Sequence, residues 1–97
     1  MNVRHLDRKL ERVERDASYH ASLGSEVAKA FRKRMQFIRA AADERDFHTM
    51  KSLHYEKLRG NREGQRSIRL NDQWRLVLSV EAAAGKTAVI IEVVDYH

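Results

Sequence analysis

Two periodicities divide the chain. In the first half, apolar residues recur at steps of three and four, the spacing that places side chains on one face of a helix. The two stripes comprise Leu6, Leu10, Val13 and Ala17, then Val27, Phe31, Met35, Ile38 and Ala42. Asp7, which follows the first residue of one stripe, and Ser25, which precedes the other, are the expected helix N-caps. The pattern therefore predicts two helices that begin at these two residues.

Basic residues occupy the outward faces of the second helix. These residues are expected to face solvent, and they are Lys29, Arg32, Lys33, Arg34 and Arg39. Asp43 follows, and it is expected to cap a last helical turn that runs through Phe47 and Met50.

From about residue 52 the apolar spacing changes to two, which is the period of a β-strand. Residues 87–94 are apolar at nearly every position, as in a central strand covered on both faces. Turns are expected at residues 71–73 and 82–85. The predicted order is two helices and then four strands, which leaves room for a very short strand at residues 2–4. Helices on one face of a small antiparallel sheet make an α+β fold, and 97 residues form one domain spanning 1–97.

The strand register gives a first indication of function. A three-residue turn at 71–73 sets Ile68 opposite Leu76, whereas a two-residue turn sets Ile68 opposite Arg75 and mixes core with surface. Burial favours the three-residue turn, which also places Arg69 directly opposite Arg75. Like charges opposite each other destabilise a sheet unless an anion lies between them. The pattern indicates a phosphate or carboxylate site, and the alternative is two arginines that extend into solvent.

Charge favours a polyanionic partner. Nineteen Lys and Arg against fourteen Asp and Glu give a net charge of +5, which points to nucleic acid or to an acidic protein surface. The excess is concentrated in residues 51–75, with seven basic and three acidic residues. At its centre, Gly60 and Gly64 bracket a turn where backbone amides and guanidinium groups could approach a phosphate. The turn lacks P-loop spacing, and an ordinary solvated surface is the alternative.

Several kinds of chemistry are excluded or disfavoured. The chain has no cysteine, so disulfides, thiolate metal sites and cysteine nucleophiles are excluded. The five histidines show no metal-ligand spacing, and no cofactor or metal is expected. The N-terminal residues contain no apolar segment, and no stretch is long enough to cross a bilayer. A cytoplasmic protein without membrane association is therefore expected.

The C-terminal residues carry three groups that can move or hold protons. Asp95, Tyr96 and His97 directly follow the most hydrophobic predicted strand. Beside a cluster of arginines, such groups could cleave RNA without a metal: one takes the proton of a 2′-hydroxyl, another protonates the departing 5′-oxygen, and guanidinium charge stabilises the phosphorane. His54 supplies a second imidazole near the basic loop. The alternative is a terminal histidine that is merely exposed.

Two segments and the chain's last residues resemble a known family. Residues 58–65 (LRGNREGQ), residues 67–76 (SIRLNDQWRL) and the closing Asp-Tyr-His resemble the HigB-type toxins of the RelE/ParE superfamily, the plasmid maintenance killer proteins. The resemblance covers the second half closely and the first half in outline. It implies a RelE-like fold, with two to three helices on one face of a small antiparallel sheet. It also implies a toxin that cleaves mRNA in the ribosomal A site by 2′-hydroxyl attack and so inhibits translation.

The resemblance further implies partners and residue roles. An antitoxin with a helix-turn-helix domain, similar to HigA, would be encoded beside the toxin, and operator DNA would be reached only through that antitoxin. Arg75 would stabilise the scissile phosphate, His97 and Asp95 would transfer protons, Tyr96 would position the substrate, and His54 lies close to a family histidine.

Arg59 is also expected among the catalytic residues, and the basic residues with expected roles in binding RNA or phosphate are Lys57, Arg62, Arg66 and Arg69. Arg59 stands where the family usually has lysine, and a guanidinium holds charge but is a poor general acid. Proton transfer is therefore expected from the two imidazoles. Arg66 stands where an aromatic residue is common, which replaces base stacking by cation stacking or removes it.

Two other functions remain open for this fold. A ParE-like inhibitor of DNA gyrase would use the basic surface without catalysis. A plain RNA-binding module would show salt-dependent binding without growth arrest.

Overall fold

The computed structural model describes residues 1–81 and 86–95. The helices are α1 (Arg8–Arg15), α2 (Ser25–Ala40) and α3 (Arg45–Thr49). The strands are β1 (Asn2–His5), β2 (Glu56–Lys57), β3 (Arg66–Arg69), β4 (Trp74–Glu81) and β5 (Thr87–Asp95). Short 3-10 turns occupy Lys51–Leu53 and Gly60–Arg62. The strands form a five-stranded sheet in the order β1-β5-β4-β3-β2, and the predicted α+β class is confirmed.

β1 lies at one edge of the sheet and runs parallel to β5, with Asn2 opposite Thr87 and His5 opposite Ile90. The short strand expected near residues 2–4 therefore exists, but the expectation of an antiparallel sheet is wrong at this edge. The other strand pairs are antiparallel. β5 lies between β1 and β4 and is an interior strand, which explains its nearly continuous apolar sequence.

α1 begins where the sequence predicts. The Asp7 side chain accepts a hydrogen bond from the backbone N–H of Lys9 at 2.8 Å, so this cap is confirmed. Leu10 and Val13 are buried. The predicted apolar stripe is too long at both ends, because the helix stops at Arg15 and leaves Leu6 and Ala17 exposed.

α2 carries the predicted buried stripe of Val27, Phe31, Met35 and Ile38. Two details differ. Ser25 is the first helical residue and not the cap, because Gly24, with φ of 83°, occupies the N-cap position without a side-chain hydrogen bond. The helix ends at Ala40, so the stripe does not continue to Ala42, which is exposed.

The core lies between the three helices and one face of the sheet. Phe31, Met35 and Ile38 of α2 belong to the same buried cluster as Ile68, Leu76, Leu78 and Ile90 of the sheet. Phe47 of α3 joins this cluster and contacts the rings of Phe37 and Tyr55. The opposite face of the sheet carries the residues that alternate with the core positions, which include Arg69, Arg75 and Glu92 but also the buried Val77.

Asp43 is buried between α2 and α3 and ties three segments together. It accepts a hydrogen bond from the backbone N–H of Arg45 at 2.8 Å and forms ion pairs with Arg45 and Lys86 at 2.8 and 3.0 Å. The hydrogen bonds from Arg45, then that from Lys86, hold the pKa of Asp43 below its usual value. The expected last helical turn exists as α3, whereas strand structure begins at Glu56 and not near residue 52.

The hairpin of β3 and β4 has the predicted register. Ile68 pairs with Leu76 and Arg69 pairs with Arg75. The backbone N–H of Leu70 donates to the carbonyl of Trp74 at 2.9 Å, which closes the three-residue turn. The register argument from burial is confirmed.

Candidate functional site

Arg69 and Arg75 lie directly opposite each other at the turn end of β3 and β4. Ile68 and Leu76, the residues adjacent to them in each strand, are fully buried in the core, so the two arginines lie on the face turned away from the helices. Both are only partly exposed. The structure therefore brings two guanidinium groups together on the polar face.

The turn between the strands holds both guanidinium groups. The carbonyl oxygen of Asn71 accepts hydrogen bonds from Arg75 Nη1 at 2.9 Å and from Arg69 Nε at 3.3 Å. The side chain of Asn71 accepts from the backbone N–H groups of Gln73 and Trp74 at 2.9 and 2.8 Å, which fixes the turn. Two like charges thus converge on one neutral acceptor. Asp72 pairs with Arg69 and supplies a neighbouring carboxylate that is almost fully exposed.

His54 lies beside this arginine pair. It ends a 3-10 turn in the left-handed conformation, with φ of 47° and ψ of 54°, and its side chain is exposed. Its Nε2 lies 3.5 Å from Arg69 Nη1. The structure therefore places an imidazole at the edge of the arginine pair.

Arg62 has a different environment from the other basic candidates. Its guanidinium forms an ion pair with Glu92 of β5 and donates to Gln65 Oε1 at 3.0 Å. Ser67 and Val77 lie in the same cross-strand row as Glu92 and are buried. The ion pair crosses these two residues and fastens the loop between β2 and β3 to the polar face, so Arg62 is already engaged.

Lys57, Arg59 and Arg66 lie around a cavity of about 570 Å³ formed by the loop before β3. Gly60 and Gly64 shape this loop with φ of 66° and 89°, which glycine adopts without strain. Arg66 pairs in register with Leu78, and Lys57 pairs with Arg66, so both belong to the face that carries the helices. These cations therefore form a second group, separate from Arg69 and Arg75.

A tyrosine borders the helix side of this second group. Tyr55 donates a hydrogen bond to Glu44 Oε2 at 2.6 Å, and Arg66 Nε lies 3.7 Å from the same oxygen. Burial, followed by the hydrogen bond to Glu44, raises the pKa of Tyr55 well above its usual value. The phenol therefore stays protonated and acts as a hydrogen-bond donor.

The C-terminal residues are described only as far as Asp95. Asp95 Oδ2 accepts a hydrogen bond from Gln73 Nε2 at 2.8 Å, next to the turn that holds the arginines. Its register partner is Trp74, whereas Arg75 pairs with Val94, so Asp95 and Arg75 occupy opposite faces at neighbouring positions. Tyr96 and His97 lie outside the described residues, and their shared pocket with Arg75 stays a prediction.

Arg34 contacts the arginine pair, which its position in the sequence does not predict. We expected this residue of α2 to face solvent, but it is partly buried, and its Nε donates to the carbonyl of Arg69 at 3.0 Å. Arg32 also turns inward, with bonds to the carbonyls of Val13 and Tyr19 at 2.7 and 2.9 Å. Their helical positions beside the apolar stripe, and not within it, gave no signal of these contacts.

The described residues, 1–81 and 86–95, contain no group of three or more His, Cys, Asp or Glu side chains arranged to hold a metal ion. Within the same ranges, none of the helices is long and apolar enough to span a membrane.

Comparison with known proteins gives consistent matches. The model of the HigB-like toxin family, described as RelE-like toxins of type II toxin–antitoxin systems, matches residues 4–97. Over 77 residues the chain is 31% identical to Toxin HigB-1 of Vibrio cholerae, an alignment that covers 79% of this chain and 81% of that relative.

Solved structures share the fold at lower identity. The YoeB–YefM complex from Staphylococcus aureus aligns with a TM-score of 0.60 and 23% identity, over 100% of this chain and 97% of that chain. The YoeB/ParE toxin from Agrobacterium tumefaciens gives 0.58 and 16%, over 100% and 99%. The toxin–antitoxin complex RelBE2 from Mycobacterium tuberculosis gives 0.54 and 20%, over 99% and 96%.

Proposed function

The chain belongs to the HigB family of RelE-like toxins of type II toxin–antitoxin systems, and we propose that it is an endoribonuclease that cleaves mRNA in the ribosomal A site. The observation that carries this proposal is the convergence of Arg69 and Arg75 on the carbonyl of Asn71, with His54 beside them. A phosphodiester placed between the guanidinium groups would accept hydrogen bonds from both, with Arg69 exchanging its ion pair with Asp72 for the phosphate.

The reaction we propose is attack by the 2′-oxygen on the adjacent phosphorus. The P–O5′ bond breaks, and the products are a 2′,3′-cyclic phosphate and a 5′-hydroxyl. One group takes the 2′-hydroxyl proton, and another gives a proton to the 5′-oxygen. Arg75 stabilises the added negative charge of the phosphorane, which is worth most where the donors are already fixed, as the turn fixes them here.

Proton transfer is assigned to imidazole because this side chain changes charge between about pH 5 and 8. His54 is beside Arg69. His97 is separated from Asp95 by one residue in the chain. Asp95 lies on the face opposite Arg75, but its side chain is hydrogen-bonded to Gln73 of the turn that holds the arginines. We propose that His97 and Asp95 take part in proton transfer with His54, and that Tyr96 positions the substrate.

We assign the second cationic group to binding the RNA chain beyond the scissile bond. Lys57, Arg59 and Arg66 border a cavity at the edge of the sheet, where charge would hold RNA or ribosomal phosphates without taking part in the bond change. Arg62, which pairs with Glu92, is assigned to holding the loop in place. Binding of RNA by Arg62 would require it to leave this partner.

The proposed partners follow from the substrate and the family. The ribosome aligns the message, so a small protein with few acid–base groups gains the effect of fixed geometry. Toxin–antitoxin complexes among the similar folds support a cognate antitoxin. We propose that this antitoxin carries a helix-turn-helix domain and covers the basic surface, with operator DNA contacted only through it. The proposed place of action is the cytoplasm.

The test is induction of variants in cells followed by mapping of RNA 5′ ends. We expect Arg75→Ala to lower the cleavage rate by about 100- to 1000-fold and His97→Ala by about 100-fold or more, with unchanged circular dichroism. Lys29→Ala, which removes one exposed charge from α2, is the matched control and should remain toxic.

The outcomes separate the candidate functions. Cuts within translated codons, lost in both variants, support the proposal. Full toxicity of both Arg75→Ala and His97→Ala refutes the mechanism. DNA damage with intact messages would instead identify a gyrase inhibitor, and salt-dependent RNA binding without growth arrest would identify a binding module.

A further inference from the structure

Arg34 reaches the outer edge of β3 from helix α2. β2 pairs with the outer edge of β3 only at Arg66 and Ser67. In the described part of the chain, no strand is hydrogen-bonded to this outer edge at Arg69. Arg34 Nε donates to the Arg69 carbonyl at this uncovered position, at 3.0 Å. The bond gives the carbonyl a donor that the sheet does not supply.

This bond alone does not require a charged side chain. An amide N–H could donate to the same carbonyl, whereas a guanidinium adds a positive charge beside Arg69. Burial, followed by repulsion from the Arg69 charge, lowers the pKa of Arg34, so the environment disfavours its charged form. Among the described residues no carboxylate forms an ion pair with Arg34, and its Nη nitrogens make no hydrogen bond there.

The arrangement therefore holds three guanidinium groups at one end of one hairpin. Arg69 and Arg75 share the carbonyl of Asn71. Arg34 is anchored through Nε, and its two Nη nitrogens make no hydrogen bond among the described residues. A guanidinium fixed in this way has lost part of its conformational freedom before a ligand arrives, and less is lost when it binds a phosphate.

We propose that Arg34 is a third phosphate-binding arginine, which contacts the phosphodiester next to the one held by Arg69 and Arg75 in the bound RNA. The proposal rests on the proposed function, since it assumes that RNA occupies the arginine pair. It assigns a role to a residue of α2, an element that otherwise contributes to the core. Arg34 acts in binding and not in the bond change.

The experiment measures toxin binding to ribosomes programmed with a message whose A-site codon carries 2′-O-methyl groups, which cannot be cleaved by 2′-oxygen attack. Affinity is measured between about 0.05 and about 0.2 M KCl, the range over which phosphate contacts change affinity strongly. The variants are Arg34→Gln, which keeps an N–H donor and removes the charge, and Arg34→Lys, which keeps the charge. Lys33→Gln removes a charge from the adjacent exposed position of the same helix and is the matched control.

We expect Arg34→Gln to weaken binding about tenfold. The slope of log affinity against log salt should become shallower by about 0.7, the value for one contact to a single strand. Arg34→Lys should retain the slope, and Lys33→Gln should match the wild type. With unmodified message and saturating toxin, the single-turnover cleavage rate of Arg34→Gln should stay within about twofold of wild type, since the scissile phosphate keeps its own arginines.

Other results would overturn either the proposed role of Arg34 or the proposed function. An unchanged salt slope in Arg34→Gln overturns the proposal. A slower cleavage rate at saturation, with an unchanged slope, would show that Arg34 only supports the position of Arg69. Wild-type toxin that does not bind the programmed ribosome refutes the proposed function itself, which is a distinguishable result.

A measurement on the wild-type chain covers the case in which Arg34→Gln does not fold. Phenylglyoxal modifies accessible arginines, and mass spectrometry reads the modification of the Arg34 peptide with and without the 2′-O-methyl programmed ribosome. Protection of Arg34 supports the proposal, and equal modification in both samples overturns it.

Discussion

Replacing Glu92 with Gln removes the carboxylate that pairs with Arg62 and preserves the length of the side chain. In the structure this pair connects the loop between β2 and β3 to β5, and it crosses the buried Ser67 and Val77. The substitution therefore tests whether Arg62 braces the loop or is available to bind RNA.

The expected loss of stability follows from the solvent exposure of the two paired side chains. The side chains of Arg62 and Glu92 are 41% and 42% exposed, so water and salt screen their attraction, and such pairs contribute about 0.2–1 kcal/mol to the free energy of unfolding. The hydrogen bond from Arg62 to Gln65 remains when Glu92 is changed. We expect Glu92→Gln to lower the unfolding free energy by no more than about 1 kcal/mol.

The assay is a double-mutant cycle of urea unfolding with Arg62→Gln, Glu92→Gln and the double variant. The coupling free energy should fall between about 0.1 M and about 1 M NaCl, because the Debye length shortens from about 10 to about 3 Å. A coupling above about 2 kcal/mol, or one that salt leaves unchanged, would refute the assignment of a solvent-screened brace.

Binding to the programmed ribosome tests whether Arg62 also contacts RNA. Because Glu92 already occupies Arg62, we expect Arg62→Gln to leave the salt slope of ribosome binding unchanged. A slope that becomes shallower by about 0.7 would mean that Arg62 exchanges Glu92 for a phosphate, and it would restore the RNA-binding role expected from the sequence.

Two further predictions concern the fold. Burial would raise the pKa of Glu14, but the hydrogen bonds with Arg39 and His5 outweigh it and lower that pKa. The stabilisation from Glu14 therefore exists above the unfolded-state pKa of about 4.3 and is lost as pH falls through the lower folded-state pKa. Glu14→Gln should lower the free energy of unfolding by about 1–2 kcal/mol at neutral pH and by little in acid, as measured by urea unfolding across pH. Phe31 is fully buried, and Phe31→Ala should cost about 3–5 kcal/mol. An equal loss of stability at all pH values in Glu14→Gln would contradict the first prediction. A loss under about 1 kcal/mol in Phe31→Ala would contradict the second.

Local features of the fold could be predicted from the sequence, and long-range ones could not. The α2 stripe and the pairing of Ile68 with Leu76 follow from period and burial within short segments, and the structure confirms both. The parallel pairing of β1 with β5 joins opposite ends of the chain, and a strand of four residues carries no information about its partner. Asp7 was predicted as the cap of α1 and is confirmed, whereas Gly24 and not Ser25 occupies the N-cap position of α2, because the chain takes a positive φ there that the sequence does not signal.

The same division holds for the candidate site. The opposition of Arg69 and Arg75 was predictable because one hairpin turn sets it. The contact of Arg34 with Arg69 was not, because it depends on where β2 stops pairing and on how α2 lies across the sheet edge. The ion pair of Arg62 with Glu92 is likewise a tertiary contact that neither residue signals in its own segment.

The central claim is that RNA is cut by its own 2′-oxygen at the phosphate held by the paired arginines. The most direct test uses purified protein, ribosomes and a message in which one A-site nucleotide, 5′ to the cleaved bond, carries a 2′-hydrogen in place of the hydroxyl. The account predicts cleavage of the unmodified message to a 2′,3′-cyclic phosphate and a 5′-hydroxyl, and no cut at the modified position. Cleavage that persists at the deoxynucleotide would contradict the account.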